Sequence, residues 1–427
     1  MIILSARCSR LFALLALATT ACGGAQPAAP VDVHQQFEAA GLPAVDVRLR
    51  LQPEHRRMQS RYAAAVASVL KQNGEWFGPI SQSSLTIVDP PWHMPAAPLG
   101  NDVIVLDRTP WWSAPTSMTP EIAVARALSR RAWAVAIPDA DLPAWFVRGL
   151  VELSARRAVV PLFQSENLSP GHAFLEERFF GGFVPRFVRV RLLPETDGEP
   201  LPAYRASPTA DPMLPPRSAA DARSLEAKTV LALQTLERWV GRPVFDQLIS
   251  QFVRESRSSR ATLADFARVA TEVSGQDLTW LFDEAFGSSR VFDYSVAGLA
   301  SQPDAAGTFA TTVVARRDGD ARFTGSSATP VGPFEAGRGV AVLLTFADGQ
   351  QRIDYWDGRA REKTFHYRSQ AQAVSAIVDP DRTILLDLRR TNNSRTLTPK
   401  TGAAASIWTV RYMIWLEDLL LTYASLG

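Results

Sequence analysis

The residue types that ligate metals or move protons are few in this chain, and they are dispersed. Five histidines stand at 34, 55, 93, 172 and 366, and no two have the i, i+4 spacing that places a pair of ligands on one helix face. What gathers instead is positive charge. Arg126, Arg130 and Arg148 lie on two stretches of helical spacing, with Ala127 beside the first and Glu152 one turn beyond the last. A guanidinium keeps its protons in a protein and has no electron pair to offer a cation. Such groups either hold a carboxylate or phosphate by paired hydrogen bonds or serve as ion-pairing residues on exposed helix faces. Glu152 is placed to neutralise Arg148. His93, alone in Pro90-Pro91-Trp92-His93-Met94, reads as a packed structural residue, as do His172 and His366. The aromatics Trp111, Trp112 and Trp145 read as core.

Arg7 and Arg10 precede an apolar run over 11–18 that is too short to cross a bilayer, which takes about 20 residues. The run ends in Thr19-Thr20-Ala21-Cys22, which resembles the lipobox of bacterial lipoproteins, with Thr19 where Leu is more usual. The resemblance implies a signal peptide over 1–21, an acylated Cys22 and an extracytoplasmic protein anchored to a bacterial membrane. Removal of Cys8 with the signal would leave no pair able to form a disulfide. The Pro- and Ala-rich stretch that follows predicts a flexible tether over 22–44. The 45 basic and 43 acidic residues are scattered without a basic run, which argues against nucleic acid as a partner.

The elements that must position these residues follow from periodicity. A strand over 45–51 precedes a helix over 54–70, and short β-rich runs at 85–88 and 103–106 add two strands. Thr119-Pro120-Glu121 opens a helix to about 136, and Pro143 opens a second to about 157. The stretch 159–219 reads as irregular. Helices over 225–240, 244–254 and 262–275, and one starting near Asp277, make a bundle, with Thr262 and Asp265 forming a capping box. Beyond 301, alternating runs at 311–315, 340–346, 351–355 and 384–388 are punctuated by Asp318-Gly319, Asp348-Gly349 and Asp357-Gly358. They predict a small antiparallel β-domain to about 396. The last segment, 397–427, reads as an apolar helix carrying Arg411, Glu417 and Asp418. It would pack on the protein or lie on the lipid surface.

Several motifs occur in a familiar order: Trp76-Phe77-Gly78-Pro79 before a strand, Trp145-Phe146-Val147-Arg148-Gly149-Leu150-Val151-Glu152 on the second helix, the helix 228–238, and Asp379-Pro380-Asp381 through Asn392-Asn393-Ser394-Arg395. Over residues 46–396 this order resembles bacterial members of the aminopeptidase N and leukotriene hydrolase family of zinc peptidases. The resemblance implies an α+β architecture with a thermolysin-like peptidase domain and helical bundle over 45–300, then a β-sandwich-like domain over 301–396. That family holds Zn²⁺ with two His one turn apart and a Glu on the next helix, and a further Glu takes a proton from the metal-bound water. With Trp133 placed on the family's Trp after the motif, Arg126 and Arg130 fall where the two His belong, Ala127 where the general base belongs and Arg148 where the ligand Glu belongs. Leu225, Glu226 and Ala227 precede Lys228 where the family has its catalytic Tyr. The expectation is a peptidase homologue without catalytic residues, metal or cofactor that binds a protein or peptide partner. The alternatives are an active zinc aminopeptidase with unorthodox ligands, or a purely structural envelope lipoprotein.

Overall fold

The computed structural model describes residues 29–39, 42–78, 83–91, 103–108, 119–164, 200–257, 260–304, 307–325 and 339–398. Cys22, the segment over 1–21, His93, His172, the Trp111-Trp112 pair and nearly all of the 397–427 segment lie outside the described residues.

The first layer is a sheet of four strands in the order β1 (Val31–Ala39), β2 (Leu42–Leu51), β3 (Ser84–Val88) and β4 (Val103–Val105). β1 runs antiparallel to β2, and β2, β3 and β4 are parallel. The tether expectation therefore fails over 31–39, because Val31, Val33, Gln35 and Phe37 alternate with polar residues and β1 pairs along the full length of β2. Helix α1 (Gln59–Phe77), entered through a tight turn of helix over Pro53–Met58, puts Tyr62, Val66, Val69 and Leu70 on the sheet. Helices α2 (Thr119–Ala136) and α3 (Ala144–Gln164) complete this layer. Their residues Val124, Leu128, Ala155 and Val159 close the first core.

A second core joins the remaining helices to the β-domain without interruption. Its helices are α4 (Pro200–Ala206), α5 (Ala219–Val240), α6 (Arg242–Ser256), α7 (Leu263–Ser274) and α8 (Thr279–Ala285). The irregular reading of 159–219 is corrected over 159–164, which continue α3, and over 200–206, which form α4; it holds over 207–218, and 165–199 lie outside the described residues. The capping box at α7 is present: Thr262 Oγ1 accepts from the Asp265 amide, and the Asp265 carboxylate accepts from the Thr262 amide. Buried ion pairs lock the layers together. Arg157 of α3 reaches Glu237 and Asp246 (2.6 Å to the latter), lies 5.7 Å from the centre of the Trp76 ring, and shares Asp246 with the Trp76 indole N–H.

The β-domain holds two antiparallel sheets, one of β5 (Tyr294–Pro303), β6 (Phe309–Arg317) and β9 (Glu362–Ser369). The other has the order β11 (Ser394–Thr396), β10 (Ala373–Val378), β7 (Val340–Phe346) and β8 (Gln351–Trp356). The sheets meet where β10 and β11 lie against β5. β5 begins at Tyr294, before the expected boundary at 301, and the run 384–388 is not a strand. In that run Ile384, Leu385 and Leu386 are consecutive rather than alternating, and all three are buried against the second core, leaving no polar face. Asp348-Gly349 does form the β7–β8 hairpin, with Gly349 at φ +85°. Among the described residues no helix is long and apolar enough to cross a membrane.

Candidate functional site

The singled-out residues sit on α2 and α3, which pack against each other. Arg126, Ala127 and Arg130 follow one another along α2, and Arg148 and Glu152 are one turn apart on α3. Ala127 points into the first core. Arg126 forms a two-pronged ion pair with Glu152, Nε to Oε2 at 2.6 Å and Nη2 to Oε1 at 3.0 Å. Arg156, one turn farther along α3, adds 2.7 Å from Nε to Oε1. Burial pushes the Glu152 carboxyl up, yet the Arg126 hydrogen bonds and the Arg156 and Arg126 charges outweigh it and hold the group below its ordinary value. Glu152 is therefore a buried carboxylate held by two guanidiniums.

Glu152 does not neutralise Arg148, which is the correction the structure makes to the sequence reading. On α3 Arg148 turns toward α5, where its Nε lies 3.1 Å from Glu226. Burial raises the Glu226 carboxyl, Arg148 opposes that rise, and the Glu152 charge adds to it. The Arg126–Glu152 and Arg148–Glu226 pairs are thus close enough to sense each other. Arg130 stands apart, 3.5 Å from Asp107 beyond β4. The three arginines engage three different carboxylates rather than converging on one point.

Gly149 explains how α3 reaches α5 here. A Cβ at this position would lie 2.4 Å from Thr229 Cγ2 and 2.5 Å from Thr229 Cβ, so the close crossing requires glycine. Trp145, Phe146 and Leu150 around it are buried in the second core, in agreement with the reading of Trp145 as core. On α5, Lys228 is buried and donates to the Ser288 carbonyl at 2.9 Å, just past the end of α8. Burial lowers its ammonium to about 8, against the pull of Asp211 and Glu284.

Of the histidines, His55 is buried, with Nδ1 2.6 Å from Asp89, whereas His366 is exposed on β9. Zinc chemistry does not fit this donor set. The positions the resemblance assigns to ligands and base carry three guanidiniums and a methyl group, and none of these donates an electron pair to a cation. Among the described residues no group of three or more His, Cys, Asp or Glu is gathered in a way that suits a metal. Sequence reasoning missed the partners Arg156, Asp107 and Glu226. Arg156 alone had a local signal, its i, i+4 spacing from Glu152.

No protein-family model matches the chain, and no curated protein matches it. Among solved structures, the fold is similar to that of aminopeptidase A of Legionella pneumophila, crystallised in complex with aspartic acid. The identity is 10% and the TM-score 0.49, over 84% of this chain and 38% of that one.

Proposed function

We propose that this chain is a catalytically inactive homologue of the zinc aminopeptidases, lipid-anchored through Cys22 in the cell envelope, that holds a protein or peptide partner. The observation that carries the reading is the Arg126–Glu152 pair. At the position where the resemblance sets the first metal ligand stands a cation already satisfied by a buried carboxylate. A dication entering there would be repelled by Arg126, with Arg148 close by, and would find no general base at Ala127.

The purified chain, given Zn²⁺ and a panel of aminoacyl p-nitroanilides, should release nitroaniline no faster than buffer. Turnover that a chelator abolishes and zinc restores would overturn the reading. For the anchor, Cys22→Ser should move the protein from the membrane fraction to the soluble extract. Full membrane retention of that variant would contradict acylation as the anchor.

A further inference from the structure

A cavity of about 480 Å³ opens at the seam between the helical part and the β-domain, within the range of small-ligand sites, roughly 300–1,000 Å³. One wall is the end of α5 and the start of α6, with Trp239, Gly241 and Arg242; the other is the β-domain, with Phe323, Tyr355 and Asp381. The base of the seam is rigid. Trp239 meets Phe323 edge-on at 5.2 Å and Trp280 at 5.9 Å, and its indole N–H donates to Gln276 at 2.9 Å. Across the seam the Leu385 amide donates to Thr235 Oγ1 at 3.1 Å, and the Arg238 guanidinium donates to the Arg382 carbonyl. The described walls of the cavity are therefore tied to each other before a ligand enters.

Its polar groups divide into spent and available. Glu237 is held by Arg157, and the Asp379 carboxylate accepts the amides of Thr383 and Ile384 at 2.8 and 2.9 Å. Asp381 is exposed and has no ion-pair partner among the described residues, and Arg242, which is largely exposed, has a long 3.9 Å contact with Asp246 and feels the Glu237 charge without a close pair to it. Of its two guanidiniums Arg238 is engaged by the Arg382 carbonyl, so the cavity offers the Asp381 carboxylate and the Arg242 guanidinium over an aromatic floor. Phosphate-rich ligands are disfavoured, because three carboxylates against two guanidiniums leave the lining net negative.

We infer that this seam is the peptide-binding site of the chain, taking a short segment that carries one basic and one acidic side chain, the basic one to Asp381 and the acidic one to Arg242. The inference rests on the partner-binding reading above and relocates the binding from the α2–α3 region, whose arginines are already paired, to the seam. The test is calorimetric titration of the full chain with acetyl-Lys-Ala-Ala-Glu-amide, and with the Gln-for-Lys, Gln-for-Glu peptide as control. Saturable heat with the charged peptide only, weakened about fivefold or more by Asp381→Asn and by Arg242→Gln but unchanged by Arg148→Gln, is the expected result. Binding lost in Arg148→Gln and kept in the seam variants would overturn the seam assignment while leaving partner binding intact. No saturable heat at millimolar peptide would also overturn it, and the nitroanilide assay judges inactivity separately.

Discussion

Glu152 is one negative charge between two guanidiniums in a place largely closed to water, and removing that charge takes its ion pair from the buried Arg156 and from the partly exposed Arg126. Glu152→Gln should therefore destabilise the chain by about 3 kcal/mol in urea unfolding, as breaking a buried pair does. A loss no larger than an ordinary surface substitution would mean that the pair is incidental. Two other buried charges oppose the fold and set its response to pH. Burial pushes the Asp387 carboxyl up to about 7 from an ordinary 3.8, against the hydrogen bond from Asn393. Its protonated form is favoured in the folded chain, so stability from this group is present below about 4 and lost as pH rises through 7. Lys228 has the mirror behaviour. Its folded value of about 8 lies below the ordinary 10.5, so its charge penalises the fold below 8 and the penalty is relieved as pH rises from 8 to 10.5. Thermal melts across pH should thus show both penalties near pH 7.5, with Asp387→Asn flattening the acid side and Lys228→Met the alkaline side. Unchanged profiles in both variants would contradict these assignments.

At the scale of elements, the crossing of α3 over α5 hangs on the absence of a side chain at 149. Gly149→Ala forces a methyl into Thr229, and overpacking of this kind costs about 2 kcal/mol; denaturant unfolding with no loss would show that the helices separate freely. Elements with strong local signals were legible in the sequence: α2 through Thr119-Pro120-Glu121, α7 through its capping box, β7 and β8 through Asp348-Gly349. The missed elements lacked such caps and turns, and the alternation present in β1 is short and weakly apolar. β9 has only Phe365 and Tyr367 as apolar residues and is ordered by pairing with β6, and β1 is ordered by pairing with β2. The failed strand at 384–388 opens with three consecutive apolar residues, Ile384 to Leu386, which pack equally well without a ladder. At the site, residue types were readable but partners were not, because Arg148 with Glu226 and Arg130 with Asp107 are joined only by tertiary packing.

For the molecule as a whole, the helices α4–α8 and the β-domain share one core, which makes the seam a fixed feature rather than a loose joint. The α2–α3 pair belongs to the same framework, tied to α5 and α6 by Arg157 and by the Gly149 crossing. On that framework stand the paired guanidiniums on which the proposal of an inactive, metal-free homologue rests. The most direct measurement is the zinc content of protein purified without added metal, by elemental mass spectrometry, followed by titration with Zn²⁺. Zinc far below one ion per chain, with no saturable site, is the expected result. About one tightly held ion per chain, with density for it between α2 and α3, would contradict the account.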